Sequence, residues 1–510
     1  MPASSDRSPS AAFYWRAAVA LAVATLLIRL LALFATPLEL YPDEAQYWLW
    51  SRELAWGYYS KPPLIAWAIW ATTQLGGDAE GWVRLSAALF HAGATVAVFA
   101  LGRRLYDAPV GLAAAVLYAL MPGVQLSSLV IATDAPLLAF YALALWAYAG
   151  LLRDRGWRWA ALAGLAMGLA FLSKYAAVYG LIGLALHFAL SREARAAWSW
   201  RAGAAALAGL AVVLAPNLVW NAAHGFSTVQ HTAANAGWDG HLFNPGKLAE
   251  FVVAQFGVFG PLPFAVLIGG SVLLVLRRRL APADLMLLCF ALPPLLIVSV
   301  QAFVSRANAN WSGAGYVAGA VLVAAWMMRW RAKRWLWGNA IFQGALALLF
   351  LAMVVSPSLG ERLGAANSFK RAKGWEEMSR SIVERVREEP GLTAVSVDDR
   401  FLYNAFAYYG RDALADPDFP PLTMWVREIH PLNQAETEDP LTRPLGERVL
   451  AASLIDAFRG EFIADFGRTS GRQIVSVGLD RKRQRRMELF VGEGFAPRPR
   501  DPVSGLPTPP

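Results

Sequence analysis

The sequence contains little cysteine and little charge. Its 510 residues include one cysteine, Cys289, in an apolar run, so no intrachain disulfide can form. Charged residues make up 16% of the chain, whereas a soluble globular protein has about 25%. Apolar residues make up 56%, and the mean hydropathy is +0.39. This composition excludes a disulfide scaffold, a disordered protein and a single soluble domain.

The sequence also lacks the motifs that bind nucleotides or activate a serine nucleophile. It has no P-loop, no G-x-G-x-x-G after a predicted strand and no G-x-S-x-G. ATP-driven transport and serine-hydrolase chemistry therefore have no support in the sequence.

The charge that is present divides the chain into two blocks. Residues 1–360 hold 24 basic residues (Lys and Arg) and 14 acidic ones (Asp and Glu). Residues 361–510 hold 22 basic and 23 acidic residues. The excess of positive charge lies wholly in the apolar block, which favours a membrane protein over a nucleic-acid-binding one. We predict a membrane domain at 1–356, with outer-face loops at 37–81 and 222–250, and a small soluble domain at 357–510.

The apolar segments indicate an α-helical polytopic membrane protein with about 11 transmembrane helices. A helix needs about 20 mostly apolar residues to cross the hydrocarbon core. The predicted spans are 17–36, 82–101, 109–122, 129–151, 159–172, 175–190, 202–221, 251–276, 283–304, 311–328 and 335–356. The stretch 159–190 is long for one span and short for two, so its reading decides the topology downstream.

The distribution of basic residues favours two crossings in that stretch. With a cytoplasmic N-terminus, the inner loops then hold 15 basic residues and four acidic ones. The outer segments hold six basic residues and nine acidic ones. Only a count of eleven crossings places all the basic clusters on the same side of the membrane. The C-terminal 150 residues are then predicted to lie outside, in the periplasm of a bacterium. The first apolar run is too long for a signal-peptide core and indicates an anchor.

The C-terminal block has the pattern of a small α/β domain. Residues 375–389 predict a helix, residues 392–397 a strand that ends at Asp398 and Asp399, and residues 474–477 a second strand. The basic run 481–486 has two interpretations. It is a solvated turn between strands, or it contacts anionic headgroups or lipopolysaccharide phosphates.

The segment between the first two spans carries the most informative polar residues. Asp43 and Glu44 follow Pro42 and are surrounded by aromatic residues, including Tyr58 and Tyr59. Tyr and Trp favour the membrane interface and also stack on sugar rings. The two carboxylates either begin a helix over 45–54, as a cap and a first-turn acid, or carry out acid–base chemistry.

Further polar residues are predicted at the same membrane face. Asp134 lies at the outer end of the fourth span, Lys174 at the turn of the short pair, and Arg306 and Asn310 after the ninth span. Cations at span ends often only extend to the interface, yet ionisable groups there are also functional candidates. Together these groups predict a site for an anionic, lipid-linked substrate, in which cations bind phosphate and a carboxylate accepts a proton.

The loop 222–250 raises the question of a metal. His224, His231 and His241 lie near Asp239, but their spacings fit no standard zinc pattern. Contact with substrate or acceptor is the favoured interpretation of this loop, and no metal ligand is assigned. A divalent metal, Mg or Mn, at the acidic site is left open.

The ordered motifs resemble those of a known superfamily. Pro42-Asp43-Glu44, Ser60-Lys61-Pro62-Pro63, Thr133-Asp134-Ala135-Pro136, Leu172-Ser173-Lys174-Tyr175 and Ala309-Asn310-Trp311 look like bacterial GT-C glycosyltransferases. Within that superfamily, the motifs resemble those of the protein O-mannosyltransferase-like group, which includes the lipid A aminoarabinose transferase. The resemblance covers most of residues 10–410, but the predicted span count is closer to that of the protein mannosyltransferases.

The resemblance implies an inverting transfer of one sugar from a polyprenyl phosphate donor at the outer face of a bacterial inner membrane. The acceptor is lipid A or lipopolysaccharide, another glycolipid, or a protein. By motif, Asp43 is similar to the proposed general base, and Glu44 is expected to help hold the acceptor or the base. Lys61 resembles the lysine that contacts the carrier phosphate, and Asp134 resembles a second acidic residue at the site. We add Lys174 and Arg306 as phosphate or sugar-acid contacts.

Two other function classes compete with a transferase. A polyprenyl-lipid flippase or transporter needs polar residues near the midplane, where the predicted spans hold only Arg29 and His91. A ligand-binding membrane module gives no reason for the acidic and basic residues beside the membrane. Tyr58, Tyr59 and Asn310 complete the residues predicted to bind substrate, membrane lipids are expected partners, and no nucleic acid is expected.

Overall fold

The structure is a computed structural model that describes residues 10–234, 236–238, 240, 242–277 and 280–508. Up to residue 355 its α-helices are α1 (Ala11–Ala35), α2 (Pro42–Trp50), α3 (Leu64–Gly76), α4 (Glu80–Leu105), α5 (Ala108–Leu120), α6 (Pro122–Ser127), α7 (Asp134–Asp154), α8 (Trp157–Ser173), α9 (Val178–Leu190), α10 (Arg192–Ala197), α11 (Trp200–Ala223), α12 (Ser227–Ala234), α13 (Pro245–Val258), α14 (Pro261–Leu276), α15 (Pro282–Val304), α16 (Gly315–Arg329) and α17 (Lys333–Val355).

The remaining helices and the strands follow residue 355. The helices are α18 (Pro357–Arg362), α19 (Ala366–Phe369), α20 (Trp375–Glu388), α21 (Arg400–Tyr409), α22 (Arg411–Leu414), α23 (Gln434–Glu438) and α24 (Asp456–Ile463). The strands are β1 (Ala394–Val397), β2 (Leu422–Met424), β3 (Arg448–Ser453), β4 (Phe466–Gly478) and β5 (Gln484–Phe495). Short 3₁₀ helices form at Tyr175–Ala177, Ala309–Ser312, Lys370–Ala372 and Pro444–Gly446.

Contacts between residues divide the chain into two compact units. The first comprises residues 1–35, 55–57 and 61–352, and the second comprises residues 36–54, 58–60 and 353–510. The second unit thus includes part of the loop that the sequence interpretation assigned to the membrane domain. The domain boundary predicted at residue 356 remains a prediction.

The first unit is a bundle of apolar helices, as the composition predicts. In the described residues, six helices are long and apolar enough to cross a membrane: α1, α4, α7, α11, α15 and α17. Shorter apolar helices cover the predicted spans at 109–122, 159–172, 175–190 and 311–328. The polytopic helical class is therefore confirmed, whereas the count of eleven crossings remains a prediction.

One predicted span is broken. The segment 251–276 was expected to form a single helix, but α13 and α14 meet at 117°. The break lies at Gly260, whose φ of +101° is unfavourable for a residue with a side chain. A Cβ there would also overlap the Gln343 side chain. The expectation was wrong because a uniformly apolar run does not show where the backbone turns.

The stretch 159–190 forms two helices, as the basic residues indicated. The chain leaves α8 at Lys174, which has an extended φ of −162°, and re-enters α9 after one 3₁₀ turn. Small residues let α8 pack closely on α11, since a Cβ on Gly164 would lie 2.0 Å from the carbonyl oxygen of Ala206. Such close backbone contacts are typical of helices packed in lipid.

The two ionisable residues predicted within spans are buried and hydrogen-bonded. Arg29 Nη2 donates to the carbonyl oxygen of Ala119 at 2.8 Å. His91 is hydrogen-bonded to the hydroxyls of Tyr118 at 2.9 Å and Ser127 at 2.6 Å. Polar groups inside a membrane protein need such partners because the hydrocarbon core offers none.

The second unit contains a five-stranded sheet of order β2-β1-β3-β5-β4. β2, β1 and β3 are parallel, whereas β5 pairs antiparallel with both β3 and β4. The predicted helix 375–389 and the predicted strands at 392–397 and 474–477 appear as α20, β1 and part of β4. The small C-terminal α/β domain is therefore confirmed.

The helix α2 packs within the second unit, against α21. The ring of Trp48 meets that of Tyr408 edge-on, with centroids 4.9 Å apart. The hydroxyl oxygen of Tyr409 also accepts a hydrogen bond from the backbone nitrogen of Leu40, at 2.7 Å. Burying large aromatic side chains stabilises such a contact by several kcal/mol, roughly 2 per ring. The first loop is thereby anchored to the C-terminal domain.

Candidate functional site

Three predicted site residues meet in the first unit. Lys174 Nζ donates to both carboxylate oxygens of Asp134, at 2.9 and 3.1 Å. Asn310 Nδ2 donates to Oδ2 of the same carboxylate at 3.0 Å. The side chains of Lys174 and Asp134 are 21% and 13% exposed, so this ion pair is only partly screened by water. The structure thus brings together Asp134, Lys174 and Asn310, which we call the Asp134 cluster.

Each member of the Asp134 cluster lies where a helix begins or ends. Asp134 is the first residue of α7, Lys174 caps the end of α8, and Asn310 is in the 3₁₀ turn before α16. A carboxylate in the first turn of a helix is stabilised by the helix dipole. An ammonium has three N–H donors, and Lys174 makes two contacts with the Asp134 carboxylate.

Gln255 holds the turn that carries Asn310. Its Oε1 accepts hydrogen bonds from Ser312 at 3.1 Å and from Tyr316 at 2.7 Å, and its Nε2 donates to the carbonyl oxygen of Ala309 at 3.2 Å. Gln255 is fully buried. Sequence reasoning missed this residue, although a lone glutamine inside an apolar segment was a usable signal.

A second set of buried amides ties residues 55–57 to α11. Asn217 Nδ2 donates to the carbonyl oxygen of Trp56 at 2.6 Å, and Tyr175 donates to Asn217 Oδ1 at 3.1 Å. A Cβ on Gly57 would lie 2.3 Å from the ring of Trp220, so only glycine fits there. This network fixes residues 55–57, which end four residues before Lys61. It also includes Tyr175, the residue that follows Lys174. These asparagines were not predicted.

Asp43 lies in the second unit, at the start of α2. Its side chain is 54% exposed, and Oδ1 lies 3.8 Å from Nη2 of Arg400. This distance and exposure make a weak ion pair, which leaves the carboxylate accessible. A solvent-accessible carboxylate next to a cation is compatible with a general base. The role of Asp43 remains a prediction.

The strand-end residues Asp398 and Asp399 position Arg400. Asp398 accepts hydrogen bonds from the Ser453 hydroxyl at 2.5 Å and the Leu454 backbone nitrogen at 2.7 Å, which joins the ends of β1 and β3. Burial raises the pKa of Asp398 to about 6. Asp399 caps α21 by accepting from the backbone nitrogens of Phe401 and Leu402. Arg400 therefore begins a well-anchored helix.

Three other predicted residues of the first loop make contacts within the second unit. Glu44 is fully buried, and its Oε2 accepts from the backbone nitrogen of Tyr41 at 2.8 Å, as in a capping box. Tyr58 donates to the carbonyl oxygens of Trp50 and Glu53, and Tyr59 donates to that of Pro431. These contacts give each residue a structural role, and the predicted substrate contacts stay predictions.

Arg306 is exposed beyond the end of α15. The carbonyl oxygen of Arg306 accepts a hydrogen bond from Gln301 Nε2 at 3.1 Å. Its side chain is available to an anion, but its predicted contact with substrate remains untested.

The question of a metal in the loop 222–250 falls partly outside the described residues. Asn235, Asp239 and His241 are among the residues that the structure does not describe. Across the described ranges, no group of three or more His, Cys, Asp or Glu side chains is close enough to hold a metal ion.

Comparison with known proteins gives the family. The lipid A galacturonosyltransferase RgtD of Rhizobium johnstonii is 37% identical over 376 residues, which cover 74% of this chain and 78% of that protein. The chain belongs to the GT-C superfamily of glycosyltransferases, in the same family as that enzyme. A family model described as dolichyl-phosphate-mannose-protein mannosyltransferase also matches residues 60–220.

Solved structures of the GT-C enzyme ArnT share the fold. ArnT from Cupriavidus metallidurans bound to undecaprenyl phosphate has a TM-score of 0.64 at 16% identity, covering 92% of this chain and 97% of that one. Its apo form has a TM-score of 0.63 at 17% identity, with coverage of 94% and 98%. The predicted GT-C-like architecture is thus confirmed, and the 37% identity to RgtD confirms the predicted glycosyltransferase activity. The competing transporter interpretation has no support from these relatives.

Proposed function

We propose that this enzyme transfers a galacturonosyl residue from a polyprenyl phosphate carrier to a lipid A-type glycolipid. The observation that carries the proposal is the 37% identity to a lipid A galacturonosyltransferase along 78% of its length. The active side is the outer face of a bacterial inner membrane, because the basic loops of the apolar block are predicted to be cytoplasmic.

The donor is a sugar linked to a polyprenyl phosphate. A lipid carrier needs no nucleotide site, in agreement with the missing glycine-rich loops. Lys174 supports this assignment, because the Asp134 carboxylate, which also accepts a hydrogen bond from Asn310, holds its ammonium group at the end of α8. Lys61, which resembles the lysine that contacts the carrier phosphate, follows the anchored residues 55–57. Fixed cations stabilise the negative charge that develops on a departing phosphate.

The transfer exchanges one carbon–oxygen bond for another. An acceptor hydroxyl oxygen bonds to the anomeric carbon, and the bond from that carbon to the phosphate oxygen breaks. The hydroxyl proton passes to Asp43, and polyprenyl phosphate leaves with the electron pair of the broken bond. The exposed carboxylate of Asp43 supports this role, as does its position in the Pro42-Asp43-Glu44 motif.

The experiment that tests the proposal is a reconstituted transfer assay. Purified full-length protein in vesicles is given undecaprenyl phosphate galacturonate and lipid A, and the product is measured by mass spectrometry. We expect lipid A to gain one hexuronic acid. A parallel reaction with undecaprenyl phosphate aminoarabinose is the matched control. Transfer of aminoarabinose but not galacturonate would contradict the sugar, and galacturonate transfer to protein but not lipid A would contradict the acceptor.

A further inference from the structure

The antiparallel strands β4 and β5 end in a strongly basic turn. Residues 481–486 contain five basic residues in six positions. Asp480 holds the turn, since its Oδ1 accepts from the backbone nitrogens of Lys482 and Arg483 at 2.8 and 3.0 Å. The side chains of Arg481, Lys482 and Arg486 are exposed. The turn is therefore structurally defined, and three of its five cations face water.

The fold adds more positive charge beside this turn. Arg485 Nη2 donates to the carbonyl oxygen of Lys370 at 3.0 Å, and Arg483 is hydrogen-bonded to the side chain of Asn367. Lys370 and Arg371, which are exposed, thereby join Arg481, Lys482, Arg483 and Arg486. We call these six residues the hairpin patch. They come from two segments that lie more than 100 residues apart in the sequence.

Arg485 fixes the hairpin patch in place. Its guanidinium lies 3.4 Å from the centroid of the Trp375 ring, a cation–π contact. Burial lowers the pKa of Arg485 to about 10, so the group is still charged at neutral pH. Trp375 is itself buried at the start of α20. Because the backbone is held at both segments, the exposed cations remain in one region of the surface.

The hairpin patch lies close to the end of the last predicted span. α17 ends at Val355, and α18 covers Pro357–Arg362. Lys373 Nζ forms an ion pair with Oε1 of Glu361 at 2.9 Å, which holds the segment 370–373 against α18. Thr36, which follows α1, donates to the carbonyl oxygen of Val354 at 2.8 Å. Within the second unit, the segment 370–373 is therefore joined to α18, which directly follows the last predicted span.

A fixed cluster of cations at a membrane surface is unfavourable unless it meets anions. We propose that the hairpin patch binds the anionic groups, phosphate or sugar-acid carboxylate, on the headgroup of the acceptor glycolipid. This inference rests on the proposed transfer to a lipid A-type acceptor. Six cations held together match a headgroup with several anionic groups better than that of phosphatidylglycerol, which carries a single one.

The test compares two variants that each lose three exposed charges. The patch variant carries Arg481→Gln, Lys482→Gln and Arg486→Gln, which spare the contacts of Arg483 and Arg485. The control variant carries Arg387→Gln, Arg443→Gln and Arg468→Gln, which are exposed residues of the same unit away from the turn. The readout is KM for lipid A and, separately, KM for the donor, each at two salt concentrations.

We expect the patch variant to raise KM for lipid A roughly 100-fold, from the usual strength of three basic residues facing an anionic membrane surface. KM for the donor and kcat should stay unchanged, and the control variant should match the unmodified enzyme. High salt should raise KM for lipid A in the unmodified enzyme more than in the patch variant. Equal effects in both variants, or no effect in either, would overturn the proposal.

A binding measurement separates this proposal from the proposed function. Fluorescent lipid A is titrated with detergent-solubilised full-length protein, and fluorescent phosphatidylglycerol is titrated in parallel. The protein could fail to transfer sugar while the patch variant still binds lipid A more weakly than the unmodified protein. That result would support the binding surface and reject the proposed transfer. Equal loss of phosphatidylglycerol binding would overturn the assignment to the acceptor, as would unchanged lipid A binding.

Discussion

Lys174 Nζ lies 2.9 Å from Oδ1 and 3.1 Å from Oδ2 of Asp134, although 40 residues separate the two in the sequence. The carboxylate orients the ammonium group between the end of α8 and the start of α7. Asp134 is thus suited to position the cation that we assign to the donor phosphate. This relationship yields the first prediction.

Asp134→Asn should lower kcat/KM by roughly 100-fold, because the neutral amide no longer holds Lys174 in one orientation. Asp284→Asn is the matched control, since Asp284 forms a similarly short ion pair, 2.7 Å from Arg329. That control should lower the melting temperature while leaving kcat of the folded enzyme nearly unchanged. Equal kcat losses in the two variants would show that Asp134 has only a structural role.

Asp43→Asn should lower kcat at least 100-fold, since an amide cannot accept the acceptor's proton. Donor binding should be unaffected, because no donor contact is assigned to Asp43. The measurement is single-turnover transfer together with equilibrium binding of the donor. Asp412→Asn, at a 98% exposed side chain, serves as the control and should be silent. Near-normal turnover by Asp43→Asn would reject the general-base assignment.

Lys61→Ala should weaken donor binding by roughly ten- to 100-fold, the usual worth of a charge-assisted hydrogen bond. The acceptor's KM should not change. Lys247→Ala, which removes an exposed lysine paired with Glu250, is the comparison. Donor affinity is measured by titration with undecaprenyl phosphate. An unchanged donor affinity in Lys61→Ala would reject the proposed contact between Lys61 and the carrier phosphate.

Asp398 should make stability depend on pH. Its pKa in the folded protein, about 6, exceeds the value of about 3.9 in an unfolded chain. The folded state therefore binds this proton more tightly, so the stabilisation is complete below about pH 4 and is lost as the pH rises through about 6. The loss should be on the order of 3 kcal/mol.

Thermal unfolding of the full-length protein between pH 4.5 and 7 tests this dependence. Asp398→Asn should flatten the change of melting temperature with pH, whereas Asp418→Asn, at an exposed site, should not. A profile that is the same with and without Asp398 would assign the dependence to other groups.

The C-terminal domain should be outside the cell membrane. In a Cys289→Ala background, Ser504→Cys should react with a membrane-impermeant maleimide in intact spheroplasts, because Ser504 is exposed. Arg158→Cys, at the exposed start of α8 on the predicted inner side, should react only after the membrane is opened. The opposite pattern would overturn the orientation, and a reporter fused after residue 360 checks it independently.

The sequence by itself determined the helical membrane class, the paired helices at 159–190 and the positions of two of the five strands of the C-terminal domain. It also identified Asp134, Lys174 and Asn310 as candidates for one site. These features depend on local apolar patterning, on which loops carry charge and on ordered motifs, all of which are properties of nearby residues.

Only the tertiary structure decided which residues meet. Packing of Trp48 on Tyr408 places α2 in the C-terminal unit, and the φ of Gly260 divides a uniformly apolar segment into two helices. The buried amides of Gln255 and Asn217 anchor the turns around the site. Such contacts join residues tens or hundreds of positions apart, and they form only where packed helices bring those positions together.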